Sequence, residues 1–346
     1  MPPVRDADVH VVAGSIPDRP GKRKGGETES HLRPRFTIMN RSLFQRTRAQ
    51  SPTQTLAMPR PPRLTLSFGR PLRALTLALG IATALPMTGH AESFTIDYDL
   101  SLIGFPIGQA TLSGNADPGT YRLELNAKLT GLASIISGGK GTAIATGGGL
   151  PGRVLPSSYQ LNVVGGGQEL TMRMALAGGN VGSISIEPPF QPRPDRVPVL
   201  DAHKRGVLDP VSAFLMPVPG RAPVLDPASC NRTLPVFDGG GRFDVSLRFK
   251  ETTTLKIKGY DGPALLCDVR YTPISGHRAE RKSVQFMAEN RDIQVWLIPV
   301  GGSRIVIPAR IMLRTMIGML AIDARRMTTG GKPLPPEDEF VPPLRD

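Results

Sequence analysis

The chain has 346 residues, 40% of them hydrophobic, which is enough to bury a sizeable core, and 42 Lys+Arg against 29 Asp+Glu give it a net charge of +13. The excess is uneven: residues 1–91 hold 14 basic and 5 acidic side chains, leaving 28 and 24, a net +4, for the other 255 residues. That remainder has no run of Lys and Arg interleaved with aromatics, so nucleic-acid binding is set aside.

Residues 1–57 come first and include "RPGKRKGGETESHLRPRF", which is charged, rich in Pro and Gly and without apolar periodicity. They read as a disordered leader or an over-called start. Residues 58–91 read as a cleavable secretory signal. Arg60, Arg63, Arg70 and Arg73 supply a positive region, Ala74 to Leu85 an apolar one, Pro86 a breaker, and Gly89-His90-Ala91 a small-residue cleavage site before Glu92. The uncharged run is far shorter than the ~20 residues that cross a bilayer, so no transmembrane span is expected in the mature chain.

From Phe94 the dominant period is two. Phe94, Ile96, Tyr98, Leu100 and Leu102 alternate with Thr95, Asp97, Asp99 and Ser101, and the same pattern recurs in 121–130, 170–176 and 242–250. Further strands are expected around 106–114, 140–147, 157–164, 181–187, 252–258, 264–274, 283–289, 292–300, 303–315 and 318–327. Helix signals are few. "GLASIISGG" from Gly131 can form a turn or two, and Asp209 can cap a short helix through "DPVSAFLM" that Pro210 opens and Pro217 stops. Between Pro188 and Pro235 prolines recur and no strand pattern persists, which reads as a linker or a long crossing connection. The expected fold is all-β, one large curved antiparallel sheet over 92–328 with one or two short helices and a disordered tail from 329 to 346.

The exported part holds two cysteines, Cys230 and Cys267, an even pair bound for an oxidising compartment and therefore read as a disulfide. Cys267 shares the apolar parity of Leu265, Val269 and Tyr271, which suits a buried bridge. A thiol nucleophile would need a histidine, and only His203 and His277 follow residue 91. The same scarcity leaves no metal site. In "FDGGGRF", Asp238, Gly239, Gly240 and Gly241 read as a hairpin turn, because an alternating strand follows where a phosphate loop would require a helix. Ser212 lies outside any Gly-x-Ser-x-Gly elbow, and Asp97 and Asp99 sit on a solvated strand parity. Trp296 and Ile298 oppose Val295 and Leu297, so their strand is apolar on both faces; with Val306, Met312, Met316 and Met319 they are candidates to line a pocket, although a lone Trp also fits a core.

"YDLSLIGFPIGQATLS", "LDPVSAFLMP", "CNRTLPVFDGGGRFDVSLRF", "CDVRYTPISGH" and "IQVWLIPVGGSRIVIPARIMLRTMIGMLAIDARRM" together resemble the domain of unknown function 3108 family across most of 94–328. The resemblance implies a β-rich periplasmic protein of Gram-negative bacteria with no assigned reaction; by looser analogy the sheet forms an open or spiral barrel, and no cofactor is expected. The resulting expectation is a non-enzymatic protein that supports the cell envelope by binding an apolar or amphipathic ligand, such as a lipid, or an envelope protein. One alternative is an enzyme acting on envelope glycan or lipid through carboxylates such as Asp97, Asp209 and Asp238; another is an assembly or scaffold subunit.

Overall fold

Alternation of apolar and polar residues places one face of each strand on a core and leaves the other wet, and antiparallel meanders are the common result. The computed structural model describes residues 92–117, 119–130, 139–149, 152–331 and 334. The leader, the export signal and the helix expected from Gly131 lie outside them, apart from the closing Gly139 of "GLASIISGG". The strands are β1 (Glu92–Leu102), β2 (Phe105–Asp117), β3 (Thr120–Leu129), β4 (Lys140–Gly148), β5 (Leu155–Gly165), β6 (Gln168–Ala177), β7 (Asn180–Glu187), β8 (Met216–Pro217), β9 (Arg232–Phe237), β10 (Arg242–Ile257), β11 (Tyr260–Ser275), β12 (Ile293–Pro299), β13 (Ile305–Thr315) and β14 (Gly318–Thr329). Among the described residues one α-helix, α1 (Lys282–Glu289), interrupts them, and no described helix is long and apolar enough to cross a membrane.

All strands belong to one antiparallel sheet, ordered β7-β6-β5-β4-β3-β2-β1-β14-β13-β12-β11-β10-β9, with β8 pairing β13 from the side. The ladder does not close. β1 sits in the middle, paired with β2 on one side and β14 on the other, so the two ends of the described strands meet at the centre of the sheet.

The connection from 188 to 231 joins one edge of the sheet to the other, and it does what the open ladder does not. Val207 N–H bonds to the Gly179 carbonyl in the β6–β7 turn at 2.7 Å, while Leu208 bonds to Pro235 at 2.7 Å and accepts from Phe237 at 2.9 Å on β9. Consecutive residues thus grip both edges. Val207, Val211 and Leu215 then join the main core, packed with Ile96, Leu112, Leu123, Tyr159, Met174 and Phe237. The main core of the sheet is thus shared with the chain's own connection.

The segment leaves the interior at Met216, pairs β8 with β13, and covers the opposite face of β10–β13. There Met216, Val218 and Cys230 pack with Leu247, Leu265, Cys267, Val295, Leu297, Val306 and Leu313 in a second cluster, to which Met287 of α1 adds. Cys230 and Cys267 are joined by a disulfide, with Cα atoms 5.8 Å apart. The two-sided apolar character of β12 follows: Val295 and Leu297 face the covered outer cluster, and Ile298 faces the interior.

β10 serves both clusters through a bulge. The register shifts between Phe249 and Glu251, so Leu247 faces the outer cluster while Leu255, of the same parity, faces the interior. An extra residue in one strand moves every following side chain to the other face.

Two expectations need correction. Residues 283–289, read as a strand, lie in α1; so short a segment leaves its period undecided, and Val284 and Met287 stand three residues apart, a helical spacing. The tail assigned to 329–346 does not begin as disorder. Thr329 ends β14, Gly330 donates to the Ser93 carbonyl at 2.9 Å, Ser93 Oγ donates to Gly331 at 2.5 Å, and Asn115 exchanges two hydrogen bonds with the Leu334 backbone.

Candidate functional site

A buried polar knot lies where the connection enters the interior. "DPVSAF" turns there because Asp209 Oδ1 accepts the backbone N–H groups of Val211 (3.0 Å) and Ser212 (2.8 Å). The result is a 3-10 turn over Ser212–Phe214 rather than a helix. Asp209 and Ser212 are both 0% exposed. Burial pushes the Asp209 carboxyl up to about 6, against the pull of the hydrogen bonds from Ser212 and Val211.

Ser212 Oγ and the Tyr121 hydroxyl are 2.8 Å apart. Burial, and then the charge of Asp209, hold the Tyr121 phenol well above its ordinary range. Tyr159 is raised for the same reasons, with Asp238 adding to Asp209. Its hydroxyl and Asp209 Oδ2 are without hydrogen-bond partners among the described residues. Tyr121→Phe therefore removes a satisfied bond and should cost about 1 kcal/mol in urea unfolding, whereas Tyr159→Phe, which loses an unpaired hydroxyl, should be neutral or stabilising.

The other carboxylates have local duties. Asp238 Oδ1 accepts from Gly240 (3.0 Å) and Gly241 (2.7 Å), so the loop N–H groups that could hold an anion are turned onto their own acid. Gly239, at φ +93°, lies where a Cβ would strike the Met172 sulfur. Asp97, expected to be solvated, is largely buried beside β14, where Arg326 Nε approaches it at 2.7 Å and Thr111 donates at 3.0 Å. Asp209 and Asp238 both act on Tyr159, but Asp209 and Ser212 are wholly buried and Tyr159 nearly so.

The pocket candidates do not converge on one surface. Trp296 and Ile298 pack in or against the interior core, the former under the Arg310 guanidinium at 5.5 Å. Val306 belongs to the outer cluster, Met312 is half-buried between Gln294 and Ala321, and Met316 is exposed in the β13–β14 turn.

That turn forms part of a feature that alternation does not reveal. The β1–β2 turn, Ile103-Gly104, lies against it: Ile103 N–H bonds to the Met319 carbonyl at 2.8 Å, and a Cβ on Gly318 would come within 2.3 Å of the Ile103 side chain. Ile103 (60% exposed), Phe105 (73%), Met316 (58%) and Ile317 (48%) make one apolar rim. The signal in the sequence is "IGF", where a two-residue turn of this kind favours Asn-Gly or Asp-Gly.

Among solved structures the chain is similar to a beta-barrel-like protein of domain of unknown function DUF1849 from Brucella abortus, at 9% identity and a TM-score of 0.41, covering 70% of this chain and 98% of that one. No curated protein matches it. The family model for the protein of unknown function DUF3108 matches residues 93–325, and the chain belongs to that family.

Proposed function

We propose that this is a non-enzymatic protein exported to the periplasm by residues 58–91, where it supports the cell envelope by binding an apolar or amphipathic envelope component at its surface. The observation that carries the reading is the exposed apolar rim beside a core that the chain packs with its own connection: Val207, Val211 and Leu215 join the main core, and four large apolar side chains remain outside it on touching hairpin tips. The buried disulfide supports export, since such bonds persist in oxidising compartments.

The enzyme alternative retains one supporting observation, the desolvated carboxyl of Asp209 beside two tyrosines. Complementation separates the two readings. In a strain lacking the protein, folded Asp209→Asn should restore resistance to detergent, and folded Phe105→Ser/Ile317→Ser should not. The opposite pattern would transfer the function to the interior.

A further inference from the structure

The geometry points to an anionic lipid surface as the component that the rim binds, an inference that rests on the surface-binding reading above. Three features of the same end of the sheet lead to it.

The first is the backbone at Ile103, whose φ is +53°, the only left-handed non-glycine residue among those described. A β-branched side chain is a poor occupant of that region, and asparagine would make the same turn with less strain. The strain holds a large apolar side chain at the outermost point of the hairpin, a residue choice that burial within this chain does not explain.

The second is contiguity. The β1–β2 and β13–β14 tips touch, so Ile103, Phe105, Met316 and Ile317 can enter an apolar layer together rather than one at a time.

The third is charge. Lys128 on β3 and Lys140 on β4 are direct cross-strand partners, both exposed, and neither has a hydrogen bond or ion pair among the described residues. Like charges placed opposite one another are destabilising unless an anion lies between them. Lys128 pairs beside Gln109, which is opposite Asp99, three residues along β1 from the Leu102 that pairs Phe105, or about 10 Å from the tip at the usual strand rise. The acids on the same outer faces are engaged elsewhere, Asp99 with Gln109 and Glu124 with Asn126. Apolar tips below and unpaired lysines on long stems above match the depth profile of a bilayer, with the acyl boundary first and anionic headgroups behind it.

The test is co-sedimentation of the protein, recovered from cells expressing the full chain, with vesicles of phosphatidylglycerol or of phosphatidylcholine. Binding is expected to phosphatidylglycerol and, much more weakly, to phosphatidylcholine. Lys128→Gln/Lys140→Gln should weaken binding to phosphatidylglycerol about thirtyfold, erasing most of the preference. Phe105→Ser/Ile317→Ser should weaken it at least about a hundredfold. Ile103→Asn should raise the thermal midpoint while lowering vesicle binding, a combination that a purely structural role for Ile103 would not produce. Wild-type protein that fails to sediment with phosphatidylglycerol, or lysine variants that bind as well as wild type, would overturn the inference. So would rim variants that lose a crosslinked envelope protein while keeping vesicle binding. If Phe105→Ser/Ile317→Ser fails in complementation although no vesicle binding is found, the surface-binding function stands and the lipid assignment falls.

Discussion

Replacing Cys230 and Cys267 together with alanine is expected to lower the stability of the folded protein by about 4 kcal/mol, equivalent to roughly 10 °C in melting temperature for a domain of this size. The bridge closes 37 residues of chain, and on the loop-entropy account that constraint on the unfolded state supplies most of the effect. The segment it holds is the outer cover of β10–β13, whose own grip is the packing of Met216, Val218 and the half-buried Val224 and Leu225 on Leu247, Leu265 and Leu297. Without the bond the cover can lift while the ladder beneath stays paired, exposing an apolar face that binds a hydrophobic dye before global unfolding. The checks are urea unfolding of both forms and thiol titration of the native wild type, which should find no reactive thiol until a reductant is added. A loss below about 1 kcal/mol would show that apolar packing alone holds the cover.

The strands were the legible part of this sequence, and the course of the connection from 188 to 231 was not. Period-two alternation marks Phe94, Ile96 and Tyr98, or Tyr121 and Leu123, because each such strand has one wet face, and these residues do lie in the interior core. The connection from 188 to 231 has no periodic signal because its residues change partners every few positions: Val207 meets the β6–β7 turn, Leu208 meets β9, Val211 and Leu215 meet the core, and Met216 meets β13 and the outer cluster. A segment that follows no single neighbour has no single period.

The two-faced strands were visible for a related reason. Trp296 and Ile298 lie opposite Val295 and Leu297 in parity, which correctly signals two apolar environments but cannot tell a ligand from the chain itself. Here both environments are supplied by the protein, the interior core on one side and residues 216–230 on the other. The rim was hidden because turn residues are read for backbone conformation, while Ile103 occupies its turn against that preference.

The second large effect concerns pH. Asp209 is fully buried and its folded carboxyl titrates at about 6 against an ordinary 3.8. Between these values the folded state holds a proton that the unfolded state has released, so the folded state binds more protons and stability falls as pH rises. The loss is complete above about pH 6 and amounts to about 3 kcal/mol; below about pH 4 both forms are protonated and nothing is lost. Asp209→Asn keeps the Oδ1 acceptor for the Val211 and Ser212 N–H groups and removes the charge that burial penalises. The variant should therefore exceed the wild type by about 3 kcal/mol near neutral pH and converge with it near pH 4, as measured by urea unfolding across the range. Asp209→Ala gives up both backbone bonds and should be destabilised at acid pH, where no charge remains to be relieved. A difference between Asp209→Asn and wild type that stays constant with pH would mean that the carboxyl titrates normally and that water reaches the knot. The cost falls on the segment that ties the two edges of the open sheet together, because Asp209 directly follows Val207 and Leu208, whose backbone bonds reach the β6–β7 turn and β9.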